Sequence, residues 1–159
     1  MRQSDGRRTY RDFQTLLDTA PEEIFPLLCP IREYDWIPHW RCELLYSRSG
    51  IAEPGCVFAT DFGDQYGREI WVVSCYEPKR RIAFVRTGML RSMRYEITLF
   101  PQDNGTLLQA RQEITGLSEE GDLLVANSSA DEFQTQMAGL MAMLRHYLQT
   151  KTMLLPTGR

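Results

Sequence analysis

Between residues 42 and 117 the chain is interrupted at short intervals by turn-forming residues, and this punctuation limits the fold more than any other feature. Ser49-Gly50, Glu53-Pro54-Gly55, Gly63-Asp64 with Gly67, Glu77-Pro78, Gly88 and Asp103-Asn104-Gly105 separate runs rich in β-branched and aromatic residues. That spacing predicts consecutive antiparallel strands joined by hairpins, over 42–48, 56–62, 68–76, 81–87, 92–100 and 106–116. A looser alternation over 9–17 adds a strand at the start, for about seven. Met93, Tyr95, Ile97 and Leu99 alternate with Arg94, Glu96 and Thr98, and Leu108, Ala110, Gln112 and Ile114 alternate with Gln109, Arg111 and Glu113. One face of such a sheet is apolar and the other wet, so something must cover the apolar face.

The cover expected from the sequence is a helix over 129–150. Ser129 and Glu132 have the spacing of a capping box. Phe133, Met137, Leu140, Met141, Leu144 and Leu148 then form one stripe at helical spacing. At ~1.5 Å per residue the helix is roughly 30 Å long, enough to cross a sheet. Between the first two strands, Thr19 and Glu22 suggest another capping box. It opens a short helix that carries Ile24, Phe25, Leu27 and Leu28 and ends at Pro30. A second short helical turn over 31–36 closes at Pro38.

A chain of 159 residues suits one domain, placed at 9–150 with tails at 1–8 and 151–159, and at this size about 70% of the unfolded surface is buried on folding. The net charge of −3 excludes a general nucleic-acid binder, which needs a concentrated basic footprint. Lys79-Arg80-Arg81 reads as a solvated turn. No apolar stretch approaches the ~18 residues of a membrane span, and the charged start has no apolar core behind it, so a cytoplasmic protein without stable membrane insertion is expected. Cys29, Cys42, Cys56 and Cys75 lack the paired spacing of metal ligands and read as reduced, buried small hydrophobes. Neither a metal nor a cofactor is indicated.

Several segments carry a family resemblance. They are Ala20-Pro21-Glu22-Glu23-Ile24-Phe25, the run from Pro30 to Trp40, Gly55 to Gly63, Trp71 to Pro78, and Leu117-Ser118-Glu119-Glu120-Gly121. On these the chain resembles the START-like, or SRPBCC, superfamily (Bet v 1-like and polyketide cyclase-type proteins) over 9–149. The resemblance implies an α+β helix-grip fold, in which a curved antiparallel sheet grips a long C-terminal helix, with a mostly apolar pocket between them. It supplies no common catalytic motif, so catalytic residues stay unassigned.

Alternation and helical phase nominate the pocket walls: Trp40, Phe58, Trp71, Tyr76, Tyr95, Met137, Met141 and Leu144, with Thr60, Arg86 and Gln112 as polar anchors. A buried Arg86 calls for an acidic ligand or an internal carboxylate. The strands over 70–76 and 81–87 are apolar on both faces, so their registers stay open. Trp36 and Trp40 read either as a plug at the end of the sheet or as a lining of the pocket mouth. His39 is a weak candidate general base there, His146 reads as exposed, and Asp61, Asp64 and Glu69 read as turn carboxylates. The leading expectation is binding or transport of a small hydrophobic molecule (a lipid, polyketide or aromatic metabolite). The alternatives are a cyclase/aromatase- or dehydratase-like enzyme using the same cavity, and a homodimer formed through the two-sided apolar strands.

Overall fold

The structure, a computed structural model, describes residues 7–156; the outer parts of both expected tails lie outside them. Seven strands form one antiparallel sheet: β1 (Arg8–Leu17), β2 (Glu43–Tyr46), β3 (Val57–Asp61), β4 (Arg68–Glu77), β5 (Arg81–Thr87), β6 (Arg91–Gln102) and β7 (Gly105–Gly116). Their order across the sheet is β1-β7-β6-β5-β4-β3-β2. All strands but β1 follow their sequence order, as hairpins and short loops require, and β1 closes onto β7 from the other end. After β1 comes α1 (Pro21–Ile24), continued as a 3-10 turn over Phe25–Leu28, and a second 3-10 turn covers Glu33–Asp35. Two helices follow the sheet, α2 (Glu119–Asn127) and α3 (Ala130–Thr150). This is the α+β helix-grip arrangement.

The alternation read from β6 and β7 governs packing as expected. Met93, Ile97, Leu99, Leu108, Ala110 and Ile114 are buried, while Arg94 and Arg111 on the opposite face are exposed. Phe133, Met137, Met141 and Leu144 turn the buried stripe of α3 towards the sheet. Ser129 caps that helix, its hydroxyl accepting from the Glu132 amide at 3.0 Å. No capping box forms at Thr19. Ala20 is the N-cap of α1, without a side-chain bond, and the Thr19 carbonyl instead accepts from the Thr106 hydroxyl at 2.6 Å. That contact ties the helix entry to the start of β7.

Helix α2 was not expected. Ser118 caps it by accepting from the Gly121 amide at 3.0 Å, and three acidic residues stand in its first turn, where the helix dipole favours them. Val125 packs on Met93 and Ile114 as a small second core. The far end of the apolar face is therefore covered by α2, and α3 covers the rest.

The open registers of β4 and β5 also resolve. Ile82 and Phe84 are buried, which puts Arg86 on their face. In β4 the pairing shifts between Val73 and Cys75. Trp71 and Val73 face the core before this bulge, and Tyr76, opposite Ile82, faces it afterwards. A bulge adds one residue to one strand, so each of the two readings of β4 holds for half of the strand.

Candidate functional site

A cavity of about 430 Å³ lies between the sheet, α3 and the segment around the second 3-10 turn. Its walls are mostly apolar, with aromatic and thioether groups prominent among them: Trp36, Trp40, Phe58, Trp71, Phe84, Tyr95, Met137 and Met141. Phe58 stacks on Trp71 with centroids 5.2 Å apart, and Phe84 meets Trp71 edge-on at 5.5 Å. These contacts make the sheet wall stiff.

Both tryptophans of the Trp36–Trp40 segment are anchored through their indole N–H groups. Trp36 donates to the Leu27 carbonyl at 2.9 Å and is 1% exposed, while Trp40 donates to the Pro30 carbonyl at 2.8 Å. Trp36 is both a structural plug and part of the wall. Trp40 is half-buried and tilts against Phe62, centroids 5.7 Å apart, Phe62 itself being 44% exposed. This aromatic pair stands where the cavity approaches solvent. His39 also borders it, exposed and with a left-handed backbone φ of 63°.

Few polar groups reach the cavity. Gln112 lines it from β7 and Gln136 from α3. Among the described residues the Tyr95 hydroxyl finds one hydrogen-bond partner, the Met137 sulfur, at 3.9 Å. Burial raises its pKa, and the nearby Glu33 carboxyl raises it further. Glu33 also lines the cavity, from the second 3-10 turn. Desolvation holds its carboxyl well above the usual carboxylate range, because an ionised group there has lost water without gaining a compensating charge.

At the opposite wall is an ion cluster. Glu69 is 1% exposed. It accepts from Arg86 Nε at 2.7 Å through Oε1, and from Arg91 Nε at 3.0 Å through Oε2 and Arg91 Nη2 at 3.0 Å through Oε1. The Arg86 guanidinium lies 4.5 Å from the Trp71 ring centroid, and that of Arg91 lies 3.5 Å from the Tyr66 centroid. Desolvation lowers the Arg86 pKa despite Glu69. Glu69 is thus a buried ion-pair partner and not a turn carboxylate. Asp61 and Asp64 do serve turns, accepting from the Gly63 and Tyr66 amides at 3.0 Å each.

Of the residues nominated from the sequence, Trp40, Phe58, Trp71, Arg86, Tyr95, Gln112, Met137 and Met141 border this cavity. Thr60, Tyr76 and Leu144 do not. Thr60 is buried behind the wall, where it accepts from the Trp71 indole at 2.9 Å. Tyr76 lies past the β4 bulge against Phe25, in a separate depression with Cys29 and Ile82. Leu144 is fully buried in the core. Sequence reading missed Glu33, Glu69 and Arg91. The only available signal for Glu33 was its place in a cluster of aromatic residues.

A depression of similar size, about 450 Å³, lies on the opposite face of the sheet. It is bordered by Arg94, Arg111 and Glu113, which are engaged in surface ion pairs, and by Arg11, whose Nε is buried without a hydrogen-bond partner while its Nη2 donates to the Ser128 carbonyl. Among the described residues no group of three or more His, Cys, Asp or Glu side chains is placed to hold a metal ion. The four cysteines are unpaired. No described helix is long and apolar enough to cross a membrane.

No protein-family model matches this chain, and no curated protein matches it. Solved structures do. DynU16, a protein of the dynemicin biosynthetic locus, aligns at TM-score 0.64 with 17% identity, over 94% of this chain and 55% of its own. Protein Mll3558 from Rhizobium loti aligns at 0.63 with 15% identity, over 87% and 96%. Ara h 8.0201 aligns at 0.62 with 12% identity, over 90% and 99%. This chain therefore spans just over half the length of DynU16 and nearly all of the other two. At such identities the likeness concerns the fold, and the fold is START-like, of the Bet v 1 type.

Proposed function

We propose that this protein binds or carries a small hydrophobic molecule in the cavity between the sheet and α3, with 9–150 as the binding domain flanked by tails at 1–8 and 151–159. The observation that carries the reading is the cavity itself. About 430 Å³ of space falls within the ~300–1,000 Å³ of ordinary ligand sites, and its walls are aromatic with a few separated polar groups. An interior that served only to stabilise the fold would be filled, because empty apolar volume costs stability. The aromatic faces suit a flat or greasy ligand such as a lipid, a polyketide or another aromatic metabolite.

Native mass spectrometry of the purified chain, with a fluorescence titration of the neutral probe N-phenyl-1-naphthylamine, tests this. The expected result is a retained adduct or saturable one-to-one probe binding. Neither adduct nor saturable binding would contradict it.

Glu33 favours a second reading, a cyclase/aromatase- or dehydratase-like enzyme. A carboxyl whose pKa desolvation raises, lining an aromatic cavity, has the properties sought in a general acid. The place of the fold neighbour DynU16 in a biosynthetic locus agrees with such chemistry. This reading requires Glu33 to hold its proton well above its ordinary value of 4.5; a normally titrating Glu33 removes it.

A further inference from the structure

Arg86 borders the apolar cavity and also a polar depression lined by Tyr66, Arg91 and Glu132. Its charge is incompletely answered. Two guanidiniums share the single carboxylate of Glu69, which leaves one excess positive charge in the cluster. The sharing is also unequal. Arg91 donates two hydrogen bonds to Glu69 and Arg86 donates one, through Nε alone. Among the described residues no acceptor is bonded to the terminal nitrogens of Arg86, and no other carboxylate lies within ion-pair distance of it. Glu33 lines the same cavity but makes no ion pair with Arg86. Asp64, which lines the same polar depression, adds a weaker attraction to Arg86, but it makes no ion pair with it and is exposed and occupied in its own turn, so solvent screens its charge.

The guanidinium carbon lies over two aromatic rings, 4.5 Å from the Trp71 centroid and 5.8 Å from that of Phe62, and among the described residues its terminal N–H groups make no hydrogen bond. A planar guanidinium edge matches the two oxygens of a carboxylate in a paired, fork-like contact. A single excess charge also suits a monoanion better than a doubly charged phosphate. Lowering of the Arg86 pKa by burial agrees with a cation that lacks part of its compensation.

We propose that Arg86 anchors the carboxylate of an organic acid whose apolar aromatic or alkyl body fills the cavity between Trp71 and α3. The proposal rests on the ligand-binding reading above and adds the chemical class of the ligand. It also accounts for the cluster's composition: a purely structural ion pair needs one guanidinium, and the second serves the cavity.

A matched pair of probes tests it. Naphthalene-2-acetate and naphthalene-2-acetamide share a body and differ in charge. Calorimetric titration of the wild-type chain at neutral pH should show the acid bound on the order of tenfold more tightly than the amide, the scale of one charge-assisted contact. Arg86→Gln should abolish that preference, bringing the ratio of acid to amide affinity to about one whatever happens to the two affinities together. Equal affinities on the wild-type chain would overturn the proposal while leaving the cavity reading intact, and this comparison needs no variant to fold. Preference for the acid persisting in Arg86→Gln would overturn it too, by placing the anion elsewhere. Failure of both probes to bind would overturn both the proposal and the reading beneath it.

Discussion

Glu33 and Arg86 border one cavity and meet burial in opposite ways. Arg86 stays a cation and leans on Glu69, whereas desolvation, with no ion pair to offset it, raises the pKa of the Glu33 carboxyl. The difference leads to a pH prediction. Below 4.5, the ordinary value, the Glu33 carboxyl is protonated in both folded and unfolded chains and costs nothing. As the pH rises above it, the unfolded chain releases the proton and the folded chain does not. Folding stability then falls by up to about 1.4 kcal/mol per pH unit until the folded value is passed. Glu33→Gln removes this loss, so urea unfolding should find wild type and variant alike at low pH, with the variant increasingly the more stable above pH 4.5. A constant difference across pH would mean that Glu33 titrates normally. The sequence nominated Arg86 as a pocket residue in need of an acidic partner, but the roles of Glu69 and Glu33 could not be read from it. Glu69 stands beside a glycine-rich hairpin, where carboxylates usually meet water, and Glu33 lies two residues from Asp35, which is exposed and ion-paired with Arg32 at 2.8 Å.

At the level of elements, the strands were legible because period-two alternation and turn residues agree from β5 to β7, whose ends fall within two residues of the expected ones. Where the pattern breaks, legibility breaks with it: the bulge after Val73 reverses which β4 residues face inward, and no alternation rule predicts it. Helix α2 escaped for another reason. Nine residues hold few turns, and its Leu123 is 62% exposed, so no apolar stripe announced it. Only the Ser118 cap and the acidic first turn did. Its packing supports a paired prediction. Alanine for glycine within a helix ordinarily stabilises by about 1 kcal/mol. At Gly139 of α3 a Cβ would meet nothing within 4 Å, and Gly139→Ala should gain up to about that amount. At Gly121 a Cβ would overlap the Leu90 carbonyl, backbone that also accepts from the Leu117 amide at 2.9 Å. Gly121→Ala should therefore destabilise. Equal effects of the two substitutions in urea unfolding would contradict the account of how α2 is seated.

At the scale of the whole molecule, the pairing of sheet and long helix followed from patterning, because a seven-stranded sheet apolar on one face and a long helix apolar on one stripe have few other ways to bury both, and the family resemblance supplied the helix-grip fold. A pocket between them was expected too, but its extent was not legible. Whether Trp36, Phe58 and Met137 meet or stand apart depends on sheet curvature and on where the 3-10 turn is pinned, and the Trp36 and Trp40 indole bonds to Leu27 and Pro30 are invisible in spacing. The central claim is that this space is a ligand site, and filling it is the most direct test. Leu140 borders the cavity from α3 and is only partly buried. A tryptophan there should occupy the vacancy without the strain of overpacking, which typically costs about 1–3 kcal/mol in a filled core. Titrating Leu140→Trp with N-phenyl-1-naphthylamine beside the wild-type chain should show a variant at least as stable but with probe affinity weakened about tenfold or more. Unchanged probe binding, or a variant destabilised as a filled core would be, would contradict the claim.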